Sequence, residues 1–404
     1  MTQPWFWMML GIAFTAFWLV PLKLRLSLLT GASLAFIYLI LGTDENARAT
    51  ITAQRIALLA MVGWAMLFYL LAPLTQRPGS GGKWLVVAQV VGIIGFLAWF
   101  KYLPIFLPGS GGPLRLFIPL GISYFTFKLI HYVLEIRRGT IKDRSLDAFL
   151  SYVFLFPAFT AGPIERFDHY LANRETRLSS EAITYGLTRI FVGLVKFLVI
   201  SQMVVVLFFG RDRMDALLYN FNNLSPWDVW KFLIAAYVQM YLGFSAYSDL
   251  AVGASRLFGL KIVENFNWPI FATNITDFWK RWHISLANWC MTYIYMPALG
   301  KWRNPYIASY LTFIIMGIWH AGALPWIAWG LYHATGLAMY QWWGKYRRQK
   351  KWKFFNGNAW KYACIPITFL AITGSFAFTE VYGYGGTKDG LLLLAKMCFL
   401  PVSR

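Results

Sequence analysis

The chain has 404 residues, 58% hydrophobic and only 13% charged, with a formal net charge of +20. A soluble domain carries about 25% charged residues, and this much apolar surface has no place to hide in water, so a soluble globular fold is excluded. The Lys and Arg residues sit in short loops between apolar runs rather than on a basic face or arm, which argues against a nucleic-acid partner and for anionic headgroups and cytoplasmic loops.

Apolar runs on the order of 20 residues, enough to cross a bilayer, recur along the sequence. They predict spans at 5–21, 26–42, 55–74, 84–103, 114–134, 183–208, 228–250, 306–321, 324–343, 360–378 and 389–401, about 11 in all, in one domain covering 1–404. The run at 5–21 follows neither a basic segment nor a cleavage site and is read as a retained span, not a signal peptide. Aromatic residues cluster at run ends, as in Trp5-Phe6-Trp7, Trp99-Phe100 and Trp342-Trp343, where amphipathic rings suit the headgroup layer.

With the N-terminus outside, the inward loops hold Lys23 and Arg25, then Arg77 and Lys83, then Arg137, Arg138, Lys142 and Arg144. The loops at 42–46 and 108–112 fall outside. The densest basic run, Lys345, Arg347, Arg348, Lys350, Lys351 and Lys353, also falls inside, as the positive-inside rule requires. This parity needs two regions that do not cross, 152–177 and 255–304. Polar or non-helical backbone at membrane depth must be buried in protein or line a watery cavity, so both are candidate re-entrant or cytoplasm-facing elements. Ordinary cytoplasmic loops with surface-lying helices are the plainer alternative.

Cys290, Cys364 and Cys398 are widely separated and suggest neither a metal site nor a disulfide framework. No G-x-S-x-G elbow, Walker loop, dinucleotide fingerprint or metal triad is present. Five histidines remain: His131, His169, His283, His320 and His333. His320 ends the apolar run Ile314-Ile-Met-Gly-Ile-Trp-His-Ala-Gly, where a neutral, buried imidazole would accept a proton from a hydroxyl; a structural His bonded across helices is the competing reading. His283 lies in Asp277-Phe-Trp-Lys-Arg-Trp-His-Ile-Ser-Leu-Ala-Asn-Trp. Read as one helix, this stretch puts Phe278, Trp282, Leu286, Trp289 and Tyr293 on a single stripe. Lys280 and Arg281 there suit a phosphate-bearing donor or, more commonly, lipid headgroups. His333, between Gly330 and Gly336, reads as a helix-packing position. Asp249 and Arg256, Lys196, and Glu165 with Arg166 are charges that need partners in a bundle interior.

Five stretches resemble the bacterial branch of the membrane-bound O-acyltransferase family, in the family's order, over about 120–345. They are Phe156-Pro-Ala-Phe-Thr-Ala-Gly-Pro-Ile-Glu-Arg-Phe, Gly243-Phe-Ser-Ala-Tyr-Ser-Asp-Leu-Ala-Val-Gly-Ala-Ser-Arg-Leu-Phe-Gly, Glu264-Asn-Phe-Asn-Trp-Pro, Asp277-Phe-Trp-Lys-Arg-Trp-His-Ile-Ser-Leu and Met316-Gly-Ile-Trp-His-Ala-Gly. The resemblance implies an all-α polytopic bundle with re-entrant segments, a ring of tilted helices around a central tunnel. It implies His320 as the principal histidine and His283 as the second, with no bound cofactor and an acyl thioester, acyl-CoA or acyl carrier protein, as co-substrate. Asn288, Trp279, Trp282, Arg281, Lys280, Trp319 and Asp249 are the candidates for donor or acceptor binding.

The implied function is transfer of an acetyl or D-alanyl group from a cytoplasmic thioester to a hydroxyl of an extracytoplasmic envelope polymer, directly or through a partner transferase. Its place would be the bacterial inner membrane. A flippase for an envelope precursor and an acyl-relay subunit are the alternatives from other classes. After Asn288 the sequence runs Trp-Cys-Met-Thr-Tyr-Ile-Tyr-Met-Pro, where the alginate O-acetylation type has an Arg-Asp pair before its Tyr, and it is shorter at the C-terminus. The acyl group and the acceptor therefore stay open.

Overall fold

The computed structural model describes residues 4–40, 48–103, 121–208, 218–352 and 357–404. The expected outer loops at 42–46 and 108–112, the first part of the span at 114–134, and Lys353 lie outside the described residues. Everything described is helix, turn or loop, apart from isolated bridges at Arg174 with Leu260 and Tyr382 with Gly385.

The helices are α1 (Pro4–Leu19), α2 (Arg25–Ile40), α3 (Arg48–Leu71), α4 (Gly79–Lys101), α5 (Ile122–Arg138), α6 (Leu146–Phe154), α7 (Phe156–Phe159), α8 (Phe167–Ala172) and α9 (Ser180–Val195). There follow α10 (Ser201–Phe208), α11 (Pro226–Leu257), α12 (Ile275–Trp279), α13 (Ile284–Cys290), α14 (Met296–Trp302), α15 (Pro305–Ala321), α16 (Leu324–Gln349), α17 (Asn358–Glu380) and α18 (Thr387–Met397). Among the described residues, five helical stretches are long and apolar enough to cross a bilayer: Leu22–Ile40, Arg55–Gln76, Gly79–Lys101, Ser180–Val204 and Asn358–Glu380. Leu59 and Leu70 of α3 and Val91 of α4 are exposed while Ala65, Phe68, Ile93 and Leu97 are buried. Helices apolar on both faces are what lipid, not water, requires.

The described chain forms two compact units, residues 1–192 with 247–263 and residues 193–246 with 264–404. In the first, α2 packs on α1 and α6, and α4 packs on α5. Its core is aromatic: Phe6, Phe36 and Phe156 meet at one point, and Tyr132, Phe149, Tyr152 and Phe167 at another. The region at 152–177 contains only the short helices α7 and α8 beyond the end of α6, and it folds around buried charge. The Lys128 ammonium donates to the carbonyls of Tyr152 (2.8 Å) and Val153 (3.2 Å). His131 Nε2 accepts from the Phe167 amide (2.9 Å).

Glu165 does not pair with Arg166 as the sequence suggested. Its carboxylate accepts from the Val263 amide (2.8 Å) and lies 2.9 Å from His169 Nδ1, while Arg166 turns to Asp168 (2.9 Å). Adjacent side chains in an extended stretch point apart, so each charge finds its partner elsewhere. The Glu165 carboxylate raises the pKa of His169, and Arg256 and Lys261 hold the Glu175 carboxyl below its ordinary range, at 2.7 and 2.9 Å. Asp249 and Arg256, expected on one face of α11, each have a partner on another segment: Arg189 lies 2.6 Å from Asp249, and Glu175 takes Arg256.

In the second unit α15 and α16 form a hairpin, α16 packs on α17 and α17 on α18. The start of α15 is fixed by Asn304, whose side-chain oxygen accepts from the amides of Tyr306 (2.9 Å) and Ile307 (3.3 Å) just before Pro305. An Asn cap followed by Pro at the first helical position is a strong start signal. Its end is Gly322, at φ 66°, a left-handed residue that stops the helix directly after His320 and Ala321. The hairpin closes tightly because a side chain at Gly317 would run into the Trp326 carbonyl, and one at Gly330 into the Phe313 carbonyl. Gly330 thus holds the packing position read from the sequence.

Candidate active site

His320 stands in the last turn of α15 and is half-buried, two residues before Gly322 ends the helix. Three tryptophans box it. Trp326 stacks on the imidazole at 4.4 Å and 17°, Trp319 lies at 4.6 Å, and Trp329 meets it edge-on at 5.4 Å. Trp326, Trp329 and His333 follow one another at spacings of three and four on α16 and so share a face.

His333 is fully enclosed. Its ring touches Trp329 at 4.8 Å and Trp279 at 5.1 Å, and stacks against Phe313 at 5.9 Å. Trp279 comes from α12, which packs on α16. Three polar atoms in this cluster are buried with no hydrogen-bond partner among the described residues: Nε1 of Trp279, Nε1 of Trp326 and Nδ1 of His333. Buried polar groups are almost always satisfied, so these atoms, on His333 itself, on Trp279 against it and on Trp326 against His320, mark places suited to a polar ligand or water.

His283 departs from the sequence reading. The stretch from Asp277 to Tyr293 is not one amphipathic helix: α12 ends at Trp279, and His283 takes a left-handed conformation, φ 44° and ψ 51°, before α13 begins. The break is made by Asn265. Its backbone carbonyl accepts from the Ile284 amide (2.9 Å), and its side-chain oxygen accepts from the Ser285 hydroxyl (2.8 Å), the Ser285 amide (3.3 Å) and His283 Nδ1 (3.1 Å). With Nδ1 as donor, Nε2 of a neutral ring carries the lone pair. Burial pushes the His283 pKa down to about 3, which keeps that ring neutral. Phe244 packs against it edge-on at 4.7 Å. Beside it Trp282 stacks on Phe278 (5.6 Å), and Phe278 in turn lies 6.3 Å from His333.

The chemistry available is therefore a half-buried imidazole among tryptophan rings, a second neutral histidine held by an amide oxygen, and buried indole N–H donors between aromatic walls. A family model for membrane-bound O-acyltransferases matches residues 9–378. The chain belongs to that family. It is accordingly a multi-pass membrane protein.

Among the relatives of this O-acyltransferase family member are a probable alginate O-acetylase of Pseudomonas aeruginosa, 32% identical over 65% of this chain and 52% of its own length, and a teichoic acid D-alanyltransferase of Bacillus subtilis, 31% identical over 64% and 66%. A peptidoglycan O-acetyltransferase of Helicobacter pylori is 30% identical over 66% and 57%. The chain spans about half the length of the alginate relatives it matches.

In the second unit a run of ring contacts links His320, with Trp319 beside it, through Trp329 and His333 to Trp279, and through Phe278 to Trp282, while the ring contact of His283 is to Phe244. Arg281 is there too, tied to Asp277 at 2.9 Å and to the Asn267 carbonyl at 3.3 Å. Lys280 and Asn288 are exposed on the same segments. Asp249 lies in the first unit, paired with Arg189. Sequence reasoning missed Asn265, Trp326 and Trp329, and gave His333 only a packing role. The signals were present: Asn265 sits in one of the five resembling stretches, and Trp326, Trp329 and His333 recur at helical spacing just after His320.

Proposed function

We propose that this chain is a membrane O-acyltransferase that moves an acetyl or D-alanyl group from a cytoplasmic thioester to a hydroxyl of an extracytoplasmic envelope polymer. The observation that carries the reading is the half-buried imidazole of His320 boxed by three tryptophans, in a chain of this family. The names of the relatives, O-acetylase, O-acetyltransferase and D-alanyltransferase, all describe acyl transfer to envelope polymers, which supports the same class.

In the reaction, His320 takes the proton of the acceptor hydroxyl as its oxygen attacks the thioester carbonyl carbon. The carbon–sulfur bond then breaks, and the departing thiolate receives the proton from the imidazolium. Positive charge that develops on the ring is met by the carbonyl end of α15 and by the π-face of Trp326. The unsatisfied indole N–H groups of Trp279 and Trp326 supply donors for the carbonyl oxygen as it gains charge. His283, its tautomer set by Asn265, orients the donor together with Asn288. The placement is in the bacterial inner membrane with the N-terminus outside.

The test is transfer by the purified protein alone in liposomes, with acyl-labelled coenzyme A or acyl carrier protein and soluble envelope polysaccharide. Label appearing in ester linkage on the polymer supports the proposal. Thioester cleavage that needs a second protein before the polymer is labelled makes the chain a relay subunit, and polymer movement without cleavage makes it a transporter.

A further inference from the structure

A cavity of about 810 Å³ lies within the second unit, lined by one side of α16 and of α17 and by the segment at 273–275. Sites for small organic ligands fall at roughly 300–1,000 Å³. Its lining changes character along the helix axes. At one end stand Arg347, in the last turn of α16, and Lys361, in the first turn of α17, with Trp343 and Trp360 beside them. Past Cys364 the lining is mainly apolar, with Met339, Ile367, Ile275 and Ile372 beside Thr335 and Thr368, whose hydroxyls are bonded to the Tyr310 hydroxyl and the Cys364 carbonyl. At the far end the Tyr332 hydroxyl is already engaged by the Ala371 carbonyl at 2.7 Å. No Asp or Glu is among the described lining residues.

Length and polarity together describe the occupant. From Tyr332 to Arg347, α16 rises about 22 Å at 1.5 Å per residue. That matches half of the roughly 40–45 Å that a bilayer measures with its headgroups. The cationic end belongs to the densest basic run of the chain, which the positive-inside rule puts in the cytoplasm. A neutral hydrocarbon would match the apolar stretch alone, and a small soluble anion would match the cationic end alone. A phosphate with a long apolar tail satisfies both ends. A guanidinium grips phosphate through two parallel N–H bonds, and indole rings sit well at headgroup depth.

We propose that this cavity holds one anionic phospholipid of the cytoplasmic leaflet, its phosphate between Arg347 and Lys361 and one acyl chain lying between α16 and α17. So seated, the lipid supports α16, the helix that carries Trp326, Trp329 and His333. The inference does not depend on acyl transfer, and its test measures no turnover.

Cys364 lines the cavity and reports its occupancy. The full chain is placed in nanodiscs of phosphatidylcholine alone or with phosphatidylglycerol, and maleimide labelling of Cys364 is followed by peptide mass spectrometry. The expected result is labelling about tenfold slower with phosphatidylglycerol, since a site nine-tenths occupied leaves about one-tenth of the thiols open. The double variant Arg347→Gln, Lys361→Gln should label at the fast rate in both bilayers, which separates site binding from a general effect of surface charge. Equal rates for the wild-type chain in the two bilayers would overturn the proposal whether or not the variant folds. Protection by coenzyme A in phosphatidylcholine, without protection by phosphatidylglycerol, would also overturn it, by giving the cavity to a soluble phosphate-bearing donor.

Discussion

At His283 the backbone sits at φ 44°, a conformation that a β-carbon makes costly by about 1–2 kcal/mol, and hydrogen bonds to Asn265 hold it there. Asn265→Ala would remove the acceptor shared by the Ser285 hydroxyl and amide and the His283 ring nitrogen at a buried site, where losing a buried partner costs about 1–3 kcal/mol. We expect a lowered Tm and a loss of transfer activity, with Asn265→Asp recovering part of each because it keeps an acceptor oxygen. An unchanged Tm in Asn265→Ala would show that the turn is held by something else. Trp326→Phe asks a different question, since it keeps a stacking ring over His320 but deletes an orphaned N–H. If that N–H meets the developing oxyanion, kcat falls, by up to about 10²–10³-fold for a full oxyanion donor, with little change in KM. At this scale His320 and His283 were singled out by the family-resembling stretches that hold them. Asn265 was not, because what it does depends on a chain reversal that brings it back against residues 283–285.

Helices were the most legible elements, and their interruptions the least. Every apolar run within the described residues is helical, because a run with no polar partners must satisfy its backbone internally. The stripe from Phe278 to Tyr293 obeyed helical spacing just as well, yet it breaks at His283, because side-chain and backbone acceptors on Asn265 outbid the local hydrogen-bond ladder. In the hairpin of α15 and α16, Gly330 was read from the sequence as a packing position and Gly317 was not; both missing side chains let the two backbones approach. Gly330→Leu should therefore destabilise the protein by about 1–3 kcal/mol, the usual cost of overpacking, and loosen the tryptophan box along with it. Gly63→Ala in α3, where an added carbon meets no atom within 4 Å, is the control and should leave the Tm unchanged or slightly raised. Thermal unfolding of the two variants in the same detergent decides the point; equal Tm values would mean that the crossing is not tight.

For the molecule as a whole, composition and loop charge revealed an all-α membrane protein, and the five ordered stretches revealed its family. The division into two compact units was not visible, because α9 and α11 are continuous through the points where the chain changes unit. Two half-buried ion pairs, each with one partner inside the fold, give stability a pH window with opposite limbs. Glu175 has a lowered folded pKa, so its contribution is present above the ordinary carboxylate value of about 4.3 and fades as pH falls through the folded one. His169 has a raised folded pKa, so its contribution is full below about 6.5 and fades as pH rises through the folded one. Unfolding midpoints across pH should flatten on the acid side in Glu175→Gln and on the alkaline side in His169→Gln; unchanged limbs would remove these pairs from the account. The central claim, that the His320 imidazole carries the proton in acyl transfer, is tested most directly by the transfer rate of purified His320→Ala with its fold checked by Tm. The account predicts a folded variant slowed by about 10²–10⁴-fold, the usual worth of a general base. Transfer at the wild-type rate would contradict it.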